Sequence, residues 1–239
     1  MVRVPLPQAD LENGSPWSID EDVYAYLIRV HRLKEDNLVT VFNGQGFEVD
    51  ALLRQNEGQW CLVATGPVRS GRIGHELTLV YGIPKGEKLD LVVRQATELG
   101  VGKVVLYASE RSVVKLTSER ATKRINRLKK IIAESARQSG RADLMTIVGP
   151  LTLSEAMAEV ESCATRLVLH PEGGAPLNNS ELNLPAALAV GPEGGLSEAE
   201  ITTLTNHGWH PVSLNCPVLR TETAATVACA LVLHHTTGL

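Results

Sequence analysis

Two short segments near the end of the chain combine residue types that suit a small-ligand site. The first, residues 191–197, places three glycines within five residues directly after an apolar stretch. Glycine lets the backbone approach a ligand closely and adopt positive φ. A tight turn in which Ser197 caps the next helix explains the segment without a ligand. A phosphate site is the third interpretation, but no Walker lysine follows and Glu193 would repel phosphate, so a neutral or cationic ligand fits better.

The second segment, residues 215–225, carries an arginine in an unusual place. Thr221 suits the N-cap of a following helix, and Glu222 in the first turn would favour the helix dipole. Arg220 lies beside the same helix start, where the dipole disfavours positive charge. An anionic partner, either a carboxylate or a phosphate, explains Arg220 better. We therefore expect an anionic partner for Arg220, whereas the helix dipole is a sufficient structural explanation for Glu222.

A third candidate segment follows the apolar run 166–169 and contains His170 with a pair of glycines. A histidine at this position has the chemistry of a general base. A lone histidine is more often a packing or hydrogen-bonding residue, and this is the interpretation we favour.

Charge is unevenly distributed along the 239 residues, whose net value is −4. Between Arg111 and Arg141, ten basic residues face only Glu119 and Glu134, which gives +8 there and −12 elsewhere. Such asymmetry indicates a surface for a polyanion, although a solvated helix face is the alternative. Candidate residues for contacting such a polyanion are Arg111, Lys115, Arg137 and Arg141 within this segment.

Cysteine spacing and hydropathy limit the class of protein. The four cysteines lie far apart, without the spacing of a zinc site or the density of a disulfide framework, so we expect reduced thiols and no metal. No run of about 18 uncharged apolar residues is present, and the first residues lack the apolar core of a signal peptide. We therefore expect a soluble cytoplasmic protein. The 44% hydrophobic content is enough for one sizeable core or two modest ones, and two domains are the preferred expectation.

The first 70 residues predict a small β-rich unit. Strands are expected at Leu38–Phe42, 47–53 and 60–64, because glycine-containing turn signals separate these apolar runs. A helix capped by Ser18, with Glu21 three residues later, is expected to precede them. Residues 66–72 have the composition of a linker.

From residue 75 onward strands and helices alternate, which predicts an α/β domain with a parallel sheet covered by helices. Ligands of such sheets bind beyond the carboxyl ends of the strands. The loops after Leu169, Val190 and Leu214 are therefore the expected ligand-binding positions. Predicted strands are 77–81, 103–107, 145–148, 166–169, Ala186–Val190 and 211–214, and predicted helices are 86–99, Ser118–Ser139, 154–161, 197–207 and 222–233.

Two motifs together resemble a known family. The sequence GPEGGLSEAE at 191–200, followed by LRTETAA at 219–225, is similar to the ribosomal RNA small subunit methyltransferase E family, bacterial 16S rRNA uridine-N3 methyltransferases of the knotted SPOUT superfamily. Shorter matches in the family's order extend the resemblance over nearly the whole chain, at 28–32, 86–88, 98–101, 110–112, 138–141 and 169–171.

The resemblance implies an N-terminal PUA-like β-barrel that binds RNA, at 1–70, and a trefoil-knotted SPOUT domain that binds S-adenosylmethionine, at 75–239. It also implies a homodimer with the cofactor pocket near its interface, acting on ribosomal RNA in the assembled small subunit. The chain departs from the family at Asn215, Gln95 and Tyr26, where glycine, lysine and histidine are usual. The implied cofactor wall comprises Leu169, His170, Gly191, Glu193, Gly194, Gly195, Leu214, Val218, Leu219 and Thr221.

For transfer to uridine N3, the acceptor must lose a proton and its imide anion must be stabilised. Arg220 is the catalytic candidate for stabilising the anion or orienting the base, and Glu222 is the weaker candidate for the general base, with a helix-dipole role as its alternative. The predicted RNA-contacting residues are Arg29, Arg32, Arg111, Lys115, Arg137 and Arg141. Two alternatives remain open on the sequence: another SPOUT methyltransferase acting on tRNA or ribose, and a non-catalytic RNA-binding or ribosome assembly factor.

Overall fold

The computed structural model describes residues 1–7, 9–12, 16–111, 118–171, 173–177 and 181–238, without the side chain of residue 118. The predicted RNA contact at Lys115 lies outside these ranges. The chain forms two compact units, Met1–Ile73 with Ala136–Leu144, and Gly74–Ser135 with Met145–Leu239. Residues 136–144, which the predicted domain boundaries place in the second domain, belong to the first unit.

The first unit is built on a mixed six-stranded sheet with the order β1-β3-β4-β5-β2, in which β6 also pairs with β4. β1 runs parallel to β3, and the remaining pairs are antiparallel. The three predicted strands are present, whereas the short strands β1, β2 and β6 were not predicted. The bounds are β1 Val2–Pro5, β2 Trp17–Ser18, β3 Leu38–Phe42, β4 Phe47–Asn56, β5 Gln59–Ala64 and β6 Arg69–Ser70.

The helix of the first unit starts later than predicted. Asp20 is the N-cap of α1, Glu21–Tyr24, and its carboxylate accepts a hydrogen bond from the Val23 amide at 2.8 Å. The predicted Ser18 cap is wrong, because Ser18 pairs with Cys61 in the sheet. After α1 the chain continues as a π-helical turn, Ala25–Val30.

Residues 136–144 complete the first unit around Phe42, against which Ala136 and Ala142 pack. Arg141 lies in this segment with only 2% of its surface exposed. Its Nε and Nη2 donate to the two carboxylate oxygens of Asp143 at 2.8 and 2.6 Å. The predicted RNA contact at Arg141 is therefore wrong, since its guanidinium is buried and already neutralised by a carboxylate.

The second unit contains a seven-stranded sheet in which every pair is parallel, with the order β11-β13-β10-β12-β7-β8-β9. The predicted α/β class with a parallel sheet is confirmed. The strands are β7 His75–Gly82, β8 Val101–Tyr107, β9 Thr146–Leu151, β10 Thr165–Leu169, β11 Ala175–Pro176, β12 Ala186–Val190 and β13 His210–Ser213. The helices are α2 Lys88–Leu99, α3 Ser118–Ser139, α4 Leu153–Ala158, α5 Glu198–Asn206 and α6 Thr221–Thr237.

Burial in this unit follows the pattern of a sheet covered on both faces. All five residues of β12 are buried, and β7 is buried from Leu77 to Gly82. β13, β10 and β12 are direct neighbours, so the loops that follow these three strands emerge side by side at one edge. Within the described ranges, no helix has the length and hydropathy needed to cross a membrane.

Candidate ligand-binding site

The loops after β10, β12 and β13 line a cavity of about 590 Å³. All ten residues of the predicted cofactor wall contribute to its lining, and Arg220 does as well. Glu222 is not among the lining residues. Several residues not assigned to a cofactor from the sequence also line the cavity: Lys88, Arg111, Pro171, Val190, Pro192, Leu196, Cys216, Pro217 and Ala224.

Backbone atoms form much of the wall contributed by the loop after β12. A Cβ added at Gly191 would lie 2.9 Å from the carbonyl carbon of Gly195 and 2.9 Å from the amide nitrogen of Leu196. Gly195 has φ of +69°, a conformation that side-chain-bearing residues rarely adopt. The loop thus doubles back on itself so closely that only glycine fits at Gly191.

Glu200 holds the loop after β12 in place through hydrogen bonds. Ser197 and Glu200 form a reciprocal capping box at the start of α5, which confirms Ser197 as the helix cap. Glu200 is 4% exposed, and its carboxylate also accepts hydrogen bonds from the Ser109 hydroxyl and the Glu110 amide, both at 3.1 Å. Glu200 was not predicted as a site residue, although the S-x-x-E spacing is a recognisable signal. Glu200 therefore links the loop after β8 to the loop after β12.

Arg111 adds a second tie between these loops. Its Nη1 donates to the Gly194 carbonyl oxygen at 2.9 Å, and its side chain lines the cavity. Arg111 is exposed, and its contact with RNA stays a prediction. The structure therefore gives Arg111 a loop-holding contact that charge counting could not reveal.

Thr221 joins the two motif loops directly. It is the first residue of α6, not its N-cap as predicted; Arg220 occupies the N-cap position. The Thr221 hydroxyl donates to the Gly191 carbonyl oxygen at 2.5 Å and lies 3.1 Å from the Tyr81 hydroxyl. Burial raises the pKa of Tyr81 above its usual value. The hydrogen bond with Thr221 lowers this pKa, whereas the negative charges of Glu222 and Glu193 raise it further. Tyr81 therefore stays protonated and able to donate to Thr221.

Replacing Thr221 by valine is expected to lower the free energy of unfolding by about 1–3 kcal/mol, because the Gly191 carbonyl and the Tyr81 hydroxyl would lose a buried partner. Urea denaturation measures the change. Thr205→Val is the matched control, since among the described residues that hydroxyl bonds only to carbonyls of its own helix, and it should change stability by less than about 0.5 kcal/mol. Equal losses in the two variants would contradict a linking role for Thr221.

A lysine between two glutamates lies at the side of the cavity. The Lys88 ammonium is 3.0 Å from the Glu193 carboxylate and 3.8 Å from that of Glu222. The Lys85 amide also donates to Glu193, at 3.1 Å. Burial by itself would raise the pKa of Glu193, but backbone hydrogen bonds and Lys88 outweigh it and hold the pKa below its usual value. Glu193 is thus an ionised, well-held carboxylate in the cavity wall.

Glu222 belongs to the same charge cluster but is not one of the residues that line the cavity. Its Oε2 atom is buried and has no hydrogen-bond partner among the described residues, with Lys88 as its nearest charge. A carboxylate directed at a lysine is poorly placed to take a proton from a ligand in the cavity. A base role for Glu222 stays a prediction.

Arg220 differs from the other cations of the cavity. It is exposed, and within the part of the chain that the structure describes its side chain makes no hydrogen bond or ion pair. Lys88 and Arg111, by contrast, are held by protein groups. Arg220 is therefore the lining cation that remains available to an anionic group of a ligand or substrate.

Three further predicted RNA contacts lie in the first unit. Arg29 is exposed and pairs with Glu21 at 2.8 Å, and Arg32 is exposed with φ of +53°. Arg137 lies over the ring of Tyr26. Their contact with RNA stays a prediction.

Two of the three departures from the family pattern have a visible structural setting in the second unit. Asn215 has φ of +50°, the left-handed conformation that asparagine tolerates where glycine is usual. The Gln95 side chain accepts a hydrogen bond from the Thr226 hydroxyl at 2.7 Å, which links α2 to α6. Gln95 therefore serves helix packing instead of carrying a charge.

A parallel α/β sheet with a glycine-walled cavity at the carboxyl ends of its strands places the chain in the class of α/β ligand-binding domains. A family model described as "RNA methyltransferase domain" matches residues 72–233, and the chain belongs to this family. The chain is 32% identical over 212 residues to "Ribosomal RNA small subunit methyltransferase E" of Synechocystis sp., covering 86% of this chain and 68% of that protein. The resemblance stated from the sequence motifs is confirmed.

Solved structures extend the similarity over the full chain. A Neisseria gonorrhoeae "Ribosomal RNA small subunit methyltransferase E" bound to S-adenosyl methionine is 26% identical with a TM-score of 0.86, covering 99% of this chain and 98% of that one. A Legionella pneumophila protein described as a methyltransferase in complex with the bound cofactor SAM is 27% identical with a TM-score of 0.88, covering 98% of both chains. Both the mixed N-terminal sheet and the parallel sheet therefore belong to a fold already seen with this cofactor.

Proposed function

We propose that this protein is a cytoplasmic S-adenosylmethionine-dependent methyltransferase that modifies N3 of a uridine in 16S ribosomal RNA. The observation that carries the proposal is the convergence of both motif loops on one cavity, with all ten residues of the expected cofactor wall in its lining. The two similar structures that hold the cofactor support the same assignment.

The residues of the cavity fit S-adenosylmethionine. Its volume is in the range of sites for small molecules. The lack of side chains at Gly194 and Gly195 would let the wall lie close to the adenine and ribose of the cofactor, while Leu169, Leu214 and Leu219 supply apolar surface. The ionised Glu193 is compatible with a cationic ligand and opposes a phosphate. When bound, the cofactor supplies an activated methyl group, so the chemistry needs no metal.

The protein's own contribution would be alignment and charge stabilisation. Holding donor and acceptor in line can account for much of the roughly 7–11 kcal/mol available from orientation. Arg220, which is exposed in the cavity wall and whose side chain has no partner among the described residues, would face the uracil and stabilise the imide anion formed when N3 loses its proton. Glu222, two positions further along the chain, stays the candidate base, with Lys88 competing for its carboxylate.

N3 lies on the pairing edge of uracil, so the target uridine must be unpaired or extruded, at a cost of a few kcal/mol. Phosphate contacts from Arg29, Arg32, Arg111 and Arg137 would offset that cost.

The architectural parts of the assignment belong to the same proposal. The first unit would be the PUA-like barrel, with residues 136–144 added to the expected 1–70, and the second unit the trefoil-knotted SPOUT domain. We further propose a homodimer acting on the assembled small subunit. Similarity over the whole chain to a protein of the same named family supports these assignments.

The proposal is tested in two steps. Calorimetry with S-adenosylmethionine should show binding; its absence would favour a non-catalytic RNA-binding or assembly factor. Small subunits and naked 16S rRNA are then incubated with protein and cofactor, digested to nucleosides and analysed by mass spectrometry. We expect 3-methyluridine with subunits in preference to naked RNA. A methylated ribose, or modification of tRNA alone, would instead assign the protein to another branch of the SPOUT superfamily.

A further inference from the structure

An aromatic and cationic cluster on the first unit has no role in the cofactor cavity. The guanidinium carbon of Arg137 lies 3.6 Å from the centroid of the Tyr26 ring, and the His31 ring contacts Tyr26 edge-on at 4.5 Å. Tyr26 and Arg137 are half-buried, and His31 is exposed. A guanidinium this close to an aromatic ring is held by a cation–π interaction, which fixes its position without consuming its charge.

The charges around this cluster are predominantly positive. Arg137 and Arg32 have no acidic partner among the residues that the structure describes, and Arg32 is exposed. Arg29 pairs with Glu21, but both side chains are largely exposed, with 64% and 72% of their surface accessible. Exposed ion pairs contribute little stability, so Arg29 can exchange Glu21 for a phosphate at little cost.

The backbone at this place is also unusual. Residues Ala25–Val30 form a π-helical turn, closed by the hydrogen bond from the His31 amide to the Tyr26 carbonyl at 3.1 Å. Arg32 follows with φ of +53°, which a residue other than glycine rarely adopts. Short π-helical turns occur often at functional sites. Here the turn brings His31 back against Tyr26 and directs the chain sharply away after it.

We propose that Arg137, held over the Tyr26 ring and flanked by His31, offers a stacking plane for an unpaired nucleobase of the RNA, with Arg29 and Arg32 contacting the flanking phosphates. The proposal rests on the RNA methyltransferase function given above and names a contact for its substrate. Unpaired bases are recognised by stacking on aromatic rings and guanidinium planes, and the neighbouring backbone by cations. A site of this kind binds a flexible strand beside the target instead of the target uridine itself.

The test compares RNA with and without a stackable base, using the full-length protein. Fluorescence anisotropy measures binding of a labelled uridine 12-mer, the same oligonucleotide with dihydrouridine, whose ring is not planar, and an abasic 12-mer. We expect the wild-type protein to bind the uridine oligonucleotide about tenfold more tightly than the other two. Because this comparison uses only wild-type protein, it holds even where a variant fails to fold.

Arg137→Lys keeps the charge but removes the planar group. We expect it to lose the tenfold preference while its affinity for the abasic oligonucleotide stays unchanged. Arg120→Lys, an exposed residue of α3, is the matched control and should keep the preference.

Equal wild-type affinity for the three oligonucleotides would overturn the subsite, as would an Arg137→Lys variant that keeps the preference or weakens all three alike. Calorimetry with S-adenosylmethionine on the same preparations reports the proposed enzymatic function separately. A protein that binds the cofactor but does not distinguish the oligonucleotides would retain that function and lose the subsite.

Discussion

Replacing Arg220 by alanine is expected to lower the methyl-transfer rate constant by two to three orders of magnitude, the usual effect of removing a group that stabilises a developing anion. Arg220 is the exposed cavity cation without a partner among the described residues, so its charge is available to the substrate. Affinity for S-adenosylmethionine should stay within about tenfold of the wild-type value, because backbone and apolar groups form most of the wall. Single-turnover transfer and calorimetry measure the two quantities.

Two variants sharpen this prediction. Arg220→Lys keeps the positive charge at the same helix start and should recover part of the lost rate. Arg120→Ala removes an exposed cation of α3 that does not line the cavity, and its rate should stay close to wild type. Unchanged turnover in Arg220→Ala would remove Arg220 from the chemistry, and a large loss of cofactor affinity would place it in the cofactor site instead.

The position of the cavity could be predicted because two simple rules acted together. Alternating strands and helices predict a parallel sheet, and ligands of such sheets bind where the strands end. Val190 is the last residue of β12, Leu169 is the last residue of β10, and Leu214 directly follows β13. The order of neighbours, β13-β10-β12, was not predictable from periodicity, yet it is what places their loops side by side.

The residues that hold the loops together could not be found in the same way. From the sequence pattern, Tyr81 is predicted only as a core residue and Lys88 only as a residue near a helix start. Their contacts could not be predicted, because the groups that they contact are more than one hundred positions away in the chain. Glu200 is intermediate, since its capping box is local but its contacts to Ser109 and Glu110 are not. Long-range hydrogen bonds leave no trace in periodicity or spacing.

Charge counting failed for a related reason. The net charge of +8 for residues 111–141 counts every basic residue as if it were accessible. Arg141, however, is buried and paired with Asp143, only two positions away. Arg137, four positions before it, keeps its charge without an acidic partner in the described ranges. Whether a basic residue can meet RNA therefore depends on which side of the 136–144 segment it occupies, and the sequence alone does not report that side.

Replacing Gly191 by alanine is expected to lower the affinity for S-adenosylmethionine by at least about tenfold in a folded protein. The new methyl group would lie 2.9 Å from backbone atoms of Gly195 and Leu196, which cannot rotate away as a side chain can. The loop must open, and the Gly191 carbonyl would shift from the Thr221 hydroxyl that holds it. The free energy of unfolding should fall by about 1–3 kcal/mol. Calorimetry and urea denaturation measure these changes.

Gly66→Ala is the matched control, because a Cβ there has no atom within 4 Å and the backbone of Gly66 is not in the left-handed region. Its cofactor affinity and stability should match wild type. Normal affinity in Gly191→Ala would mean that the ligand does not depend on the close turn of this loop. Because Gly191 and Thr221 join the two motif segments, such a result would count against the shared cavity as the cofactor site, and not only against one residue in it.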